Sequence, residues 1–125
     1  MTGVFAANFM RLLESRLDNA LFRVGLAKSR RVARQLVSHG HVLINGKTVT
    51  IPSYQVRVGE VISLKERTLN SSSFSDLDAR LKTYTAPQWI ELDKEKKLGV
   101  ITRLPEVDQA EVIADVTKVK EFYSR

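Results

Sequence analysis

The hydrophobic pattern of this sequence changes its period at Gly40. Before it, the apolar residues of 30–38 recur every three or four positions, as on one face of a helix. After it, residues 41–44 and 47–50 form short strand-like runs on either side of Asn45-Gly46. Asn-Gly in this position predicts a hairpin with a type I′ turn, because that turn needs positive φ at both central residues. A helix followed at once by an antiparallel hairpin indicates an α+β fold.

The helix predicted at residues 30–38 has two separate faces. Ser29 is suited to cap its start, and Gly40 follows its last turn. Because each residue advances the helix by about 100°, its polar and apolar positions fall on arcs that do not overlap. The polar arc holds Arg30, Arg31, Arg34, Gln35 and Ser38, and the apolar arc holds Val32, Ala33, Leu36 and Val37. One face is therefore available to a ligand and the other to a core.

Helices and short strands alternate along the rest of the chain. A first helix is predicted from Phe9 to Val24, with Asn8 as its N-cap and Gly25 after its end. Further strands are predicted at residues 55–58, 61–64, 89–92 and 100–104, with a loop at 68–73, a third helix from Phe74 to Tyr84 and a last helix starting at Asp115.

These elements predict a two-layer α+β fold, in which two helices pack on a small, mostly antiparallel sheet. The length of 125 residues fits one small domain with an appendage. We divide the chain into a lead-in at residues 1–8, a module at residues 9–67 and a C-terminal extension at residues 68–125. We expect this extension to contain both α and β structure and to cover one side of the module.

The composition argues against most catalytic and membrane functions. The sequence has no cysteine, and none of its apolar runs approaches the ~20 residues of a membrane span. It shows no secretory signal. The two histidines, His39 and His41, lack a third ligand at a metal-binding spacing. Nucleophile elbows, phosphate loops and dinucleotide fingerprints are absent. We therefore expect a non-catalytic chain with no metal, cofactor, small-molecule substrate or membrane partner.

The positive charge is concentrated in the first half of the chain. Residues 1–67 hold 11 basic and 4 acidic residues, whereas residues 68–125 hold 9 basic and 10 acidic residues. Eight of the 11 basic residues in the first half are arginines, whose planar fork fits phosphate and whose face stacks on bases. Such a segregated charge indicates a polyanion as the partner.

The candidate binding residues follow from this charge. Arg30 and Arg31 begin a helix, where the free N–H groups and the helix dipole already favour a phosphate oxygen. The basic candidates are Arg11, Arg16, Arg23, Lys28, Arg30, Arg31, Arg34, Lys47, Arg57 and Lys65. Gln35, His39, His41 and Asn45 add neutral donors and acceptors in the same stretch. Tyr54 is suited either to stack on a base or ribose or to fill the core.

Several of these segments resemble a known family. SRRVARQLVSHGHVLING at residues 29–46 and IPSYQVRVG at residues 51–59 resemble the small RNA-binding module named after ribosomal protein S-four. FMRLLESRLDN at residues 9–19 is similar to the entry helix of bacterial S-four itself. The segments PQWIELD at 87–93, RLPE at 103–106 and EFYSR at 121–125 are similar to its C-terminal region. The resemblance covers about residues 8–125.

The resemblance implies a primary binder of small-subunit rRNA that nucleates assembly of the subunit body. It also implies a place beside the mRNA entry path, a contact with ribosomal protein S-five and an influence on decoding accuracy. The implied location is the cytoplasmic ribosome, with an organellar ribosome left open. Its implied RNA contacts are Arg16, Arg23, Ser29, Arg30, Arg31, Arg34, Gln35, His39, His41 and Asn45.

The long basic N-terminal region of the family, which binds metal through cysteines in many members, has no counterpart here. A truncation, a separate chain and a reduced protein all fit this difference. Two other functions use the same module. One is a free-standing stress or recycling factor that binds stalled ribosomes or structured RNA, and the other is the detached RNA-binding arm of a modification enzyme. A high-salt wash separates a core subunit protein from a factor.

Overall fold

The computed structural model describes residues 9–105 of the chain. Residues 9–14 are helical, and the elements that follow are α1 (Leu17–Val24), α2 (Arg30–Ser38), β1 (Val42–Ile44), β2 (Lys47–Thr48), β3 (Val61–Leu64), α3 (Glu66–Leu69), a 3₁₀ turn (Ser72–Phe74), α4 (Leu77–Thr83), β4 (Ile90–Asp93) and β5 (Leu98–Ile101). The predicted N-cap Asn8 and the last helix predicted from Asp115 lie outside the described residues. Within residues 9–105, no helix is both long and apolar enough to cross a membrane.

The five strands form one antiparallel sheet in the order β2-β1-β3-β5-β4. Asn45 and Gly46 have φ values of 51° and 81°, so the predicted turn with two positive φ angles joins β1 to β2. The α+β fold with a mostly antiparallel sheet is confirmed. β5 pairs directly with β3, so the sheet runs across the boundary expected at residue 67 and β4 and β5 extend its edge. The domain division itself stays a prediction.

The helix predicted from Phe9 to Val24 is interrupted at Ser15 and Arg16. Arg16 has extended backbone angles and forms an isolated bridge with Gln55. The N–H of Leu17 donates to the carbonyl of Tyr54 at 2.7 Å, and the N–H of Val56 donates to the carbonyl of Ser15 at 2.9 Å. The helix breaks here because the 52–56 loop supplies the hydrogen bonds that a continuous helix would have made within itself.

The strand predicted at residues 55–58 is also absent. Apart from the bridge between Gln55 and Arg16, this segment is an extended loop held against the start of α1. Val56 is nonetheless buried, which explains why its surroundings have a strand-like pattern. The loop predicted at residues 68–73 is only partly correct, because α3 extends into it as far as Leu69 and the 3₁₀ turn begins within it at Ser72. The asparagine and serines at 70–73 are typical of loops, but three of these residues also fit the short turns that the structure shows there.

The core lies between the helices and one face of the sheet. Buried residues come from α1, from α2 and from alternating positions of the strands, as expected for two helices packed on a sheet. They include Leu17, Ala20, Leu21 and Val24 of α1, Ala33 and Val37 of α2, and Val42, Ile44, Ile62, Leu64, Ile90 and Ile101 of the sheet. α1 packs tightly on the sheet at Gly99, where an added Cβ would lie 2.7 Å from Cγ2 of Val24.

Gly99→Ala is therefore expected to lower the free energy of unfolding by about 1–3 kcal/mol, the usual cost of overpacking a core. Urea unfolding of purified protein measures this change. In a Val24→Ala background the same substitution should cost less, because both Val24 methyl groups are gone and only Cγ2 of Ile90, at 3.1 Å, remains close. An equal cost in both backgrounds would show that α1 does not press on β5 at this glycine.

Candidate nucleic-acid interface

The start of α2 is built as predicted. The Ser29 hydroxyl accepts a hydrogen bond from the N–H of Val32 at 3.1 Å, which caps the helix. No acidic residue lies in its first turn, and both Arg30 and Arg31 are exposed there. Arginine at this end opposes the helix dipole, since negative groups are the favourable ones near an N-terminus. An anion bound beside the helix start would offset this unfavourable interaction.

The polar arc of α2 is open to solvent. Arg31, Arg34 and Gln35 are exposed, whereas Ala33 and Val37 are fully buried. The apolar arc only partly enters the core, because Val32 is 38% exposed and Leu36 is half-buried. These two residues line a groove, whose lining also includes Leu26, Ala27, Lys28, His41, Arg67, Thr68, Ser71, Ser73, Phe74 and Arg80. The sequence pattern missed Arg67 and Arg80, of which Arg80 forms an ion pair with Asp76 at 3.6 Å.

Three of the predicted arginines have partners within the protein. Arg16 forms an ion pair with Asp18 at 3.1 Å, and Arg23 lies 3.4 Å from a carboxylate oxygen of Glu14. The Nε of Arg30 donates to Oδ1 of Asn19 at 2.7 Å.

The ring of Phe22 brings two of these side chains together. The guanidinium carbon of Arg23 lies 5.7 Å from the ring centroid, and that of Arg30 lies 4.9 Å from it. Both distances are within the range of cation–π attraction. The structure thus gathers Arg23 and Arg30 at the junction between α1 and α2.

Some of the candidate binding residues in and near the β1–β2 hairpin make contacts within the protein. Oδ1 of Asn45 accepts from the N–H of Val61 at 2.9 Å, which ties the turn to β3. Nδ1 of His41 lies 2.8 Å from the hydroxyl of Thr68. His39 is exposed, and its ring centroid lies 6.4 Å from that of His41. Within residues 9–105, no three side chains are grouped as a metal site would require.

Tyr54 is held in place by Glu60. Its hydroxyl donates to one carboxylate oxygen of Glu60 at 2.6 Å, and the N–H of Arg57 donates to the other at 2.6 Å. The hydrogen bond to Glu60 raises the pKa of the Tyr54 phenol, and burial adds to this. The ring also packs against the core. These contacts favour the core role for Tyr54, and base stacking by its ring stays a prediction.

The remaining basic candidates are spread over the surface. Arg11 and Lys47 are exposed, and the side chain of Arg57 extends from the exposed 57–59 loop. Lys65 is half-buried at the end of β3. Lys28 forms an ion pair with Asp76 at 3.2 Å, and its ammonium group holds the pKa of that carboxyl below its ordinary value. Among the basic candidates, Arg23 and Arg30 are the only two whose side chains share a partner within residues 9–105, and that partner is the ring of Phe22. The RNA-binding roles of all the candidates stay predictions.

Residues 15–62 match the family described as S4 domain. The whole chain is also similar to several proteins named "Small ribosomal subunit protein uS4". It is 45% identical over 127 residues to that of Listeria monocytogenes serotype 4a. The identity is 46% over 123 residues for Streptococcus suis and 48% over 128 residues for Shouchella clausii.

These alignments cover 98–100% of this chain and 60–62% of the relatives. The chain therefore spans about three-fifths of the length of the proteins that it matches. Their printed name is that of a ribosomal component and not of an enzyme, in agreement with the non-catalytic prediction. The resemblance stated for about residues 8–125 is confirmed: residues 15–62 match the S4 domain, and the chain is similar, along its whole length, to part of the bacterial uS4 proteins.

Proposed function

We propose that this chain is a non-catalytic constituent of the small ribosomal subunit and binds rRNA through the start and polar arc of α2. The observation that carries the proposal is the exposed series Arg30, Arg31 and Arg34 at a helix start with no acidic residue in its first turn. Its similarity to small-subunit proteins makes rRNA the polyanion to test first. This proposal places the chain in the ribosome.

The finer parts of the proposal rest on the resemblance. They are nucleation of the subunit body, a position beside the mRNA entry path, contact with ribosomal protein S-five and an effect on decoding accuracy. The nearly neutral composition of residues 68–125 supports a protein neighbour on that side rather than the main RNA surface. Deletion of the gene should then leave small subunits whose assembly stalls early, with S-five reduced in the stalled particles.

Purification of ribosomes from the source cells tests the main proposal. A core constituent remains with small subunits in equimolar amount after a high-salt wash. Release of the chain by that wash would instead identify a free-standing factor that binds ribosomes or structured RNA. Purified chain should also bind a transcript of the small-subunit rRNA more tightly than an unrelated transcript of the same length, and equal affinity for both would contradict a specific role.

The binding should depend strongly on salt. If about six phosphates are neutralised, the logarithm of the association constant should fall against the logarithm of salt concentration with a slope between about −4 and −5. Filter binding of the rRNA transcript from low to moderate salt measures the slope. A slope near zero would mean that the arginine-rich half does not make the RNA contacts.

A further inference from the structure

Asn19 is a polar side chain in a place that would suit an apolar one. It is only 5% exposed, and its neighbours Leu17, Ala20 and Leu21 in α1 are completely buried. Burying an amide costs free energy unless its hydrogen bonds are all made. The hydrogen bonds of Asn19 with Glu14 and Arg30 therefore account for an amide at this buried position.

Those bonds fix the amide in one orientation. Its Nδ2 donates to the carbonyl oxygen of Glu14 at 2.8 Å and to the carboxylate of Glu14 at 3.0 Å. Its Oδ1 accepts from Nε of Arg30 at 2.7 Å. Flipping the amide would place a donor against Arg30 and an acceptor against Glu14, and all three bonds would be lost. Asn19 is therefore a rigid link between α1 and the first residue of α2.

Arg30 is held at two points by this arrangement. Asn19 accepts a hydrogen bond from its Nε, and its guanidinium carbon lies over the ring of Phe22, 4.9 Å from the ring centroid. Its two terminal amino groups make no hydrogen bond within the described part of the chain, and the residue is exposed. The planar fork is thus fixed in orientation while its outer N–H groups remain available to a bidentate acceptor.

Arg31 offers a contrast on the same helix end. It is exposed, and residues 9–105 provide no side-chain partner that orients it. Its long side chain must lose rotamer freedom when it binds, whereas the side chain of Arg30 has lost that freedom already. Two adjacent arginines with the same charge therefore differ in how far each is prepared for a ligand.

We propose that Asn19 and Phe22 are positioning residues, which hold the guanidinium group of Arg30 for bidentate contact with an RNA phosphate. The inference rests on the proposed function. In this proposal Asn19 and Phe22 orient a cationic side chain without adding charge themselves. Arg30 then binds the phosphate with a defined geometry, whereas Arg31 contributes mainly through its positive charge.

A double-mutant cycle tests this positioning, with a transcript of small-subunit rRNA as the probe. Asn19→Ala should weaken binding roughly five- to tenfold, through the lost preorganisation of Arg30. In an Arg30→Gln background it should have no further effect, whereas in an Arg31→Gln background it should keep its full effect. Affinities are compared at matched folded fraction, measured by circular dichroism, so that lost stability does not count as lost contact.

A spectroscopic readout on the free protein separates positioning from stability. The Nε–H signal of Arg30 should exchange slowly with water in the wild-type chain and several-fold faster in Asn19→Ala, while that of Arg31 is unchanged. Phe22→Leu keeps an apolar side chain at this half-buried position and removes the aromatic face. It should also weaken binding only when Arg30 is present, which keeps the test valid if Asn19→Ala does not fold.

The failures of the two proposals are distinguishable. If the wild-type chain does not bind the transcript, or if Arg30→Gln binds as tightly as wild type, the RNA contact itself is wrong and the positioning role falls with it. If Arg30→Gln weakens binding but Asn19→Ala and Phe22→Leu add their effects to it independently, only the positioning proposal is overturned.

Discussion

Replacing Arg34 by alanine is expected to weaken binding to small-subunit rRNA about five- to 150-fold and to leave the fold nearly unchanged. Arg34 is exposed on the polar arc of α2, so its removal opens no cavity and should change the free energy of unfolding by about 0.5 kcal/mol or less. One bidentate contact of a guanidinium group with a phosphate or a guanine edge contributes about 1–3 kcal/mol. Filter binding and urea unfolding of the same preparations measure the two effects.

Arg34→Lys is the matched control. It keeps the positive charge and loses the planar fork, so a clear defect would indicate recognition by geometry and near-normal binding would indicate charge alone. If Arg34→Ala instead destabilises the fold while the remaining folded protein binds RNA normally, the assignment of this face is wrong and the arginine has a structural role.

The parts of the fold that the sequence predicts well are those set by local chemistry. The cap at Ser29, the two positive φ angles at Asn45-Gly46 and the period of α2 each depend on residues adjacent in the chain. Such signals can be recognised without knowing which distant segments pack against these residues. They were enough to predict the helix–hairpin order and an antiparallel sheet, and the charge pattern then pointed to α2 as the binding helix.

The parts that were missed depend on contacts between distant segments. The break at Arg16 is caused by the 52–56 loop, whose backbone bonds outcompete a helical pattern that is locally sound. The link from Asn19 to Arg30 joins residues 11 positions apart across a turn, which no periodic pattern reveals. The groove beside Val32 arises because residues 66–74 form a short helix and a 3₁₀ turn that line it.

The sequence pattern does not distinguish the four apolar residues of α2, but in the structure they differ in burial. Val37 and Ala33 enter the core, whereas Leu36 faces the groove and is only half-buried. The loss of a side chain destabilises in proportion to the contacts and the cavity that it leaves. The core of this protein is therefore centred on α1 and the sheet more than on the helix that carries the binding arginines.

Leu21→Ala is accordingly expected to lower the free energy of unfolding by about 2–5 kcal/mol, since Leu21 is completely buried in α1. Leu36→Ala should cost only about 1–2 kcal/mol, because its side chain already borders solvent. Urea unfolding of the two variants, which remove the same atoms, gives the comparison directly. Both should bind rRNA normally at matched folded fraction, since neither side chain lies on the polar arc.

The relative cost of the two substitutions tests whether Leu36 belongs to the core. If Leu36→Ala proves as costly as Leu21→Ala, the groove beside α2 is closed in solution and Leu36 is a core residue, as its position on the apolar arc alone would predict. If Leu36→Ala instead weakens RNA binding at matched folded fraction, the binding surface extends from the polar arc into the groove, where Arg67 would supply positive charge beside Lys28 and Arg80, which share Asp76 as an ion-pair partner.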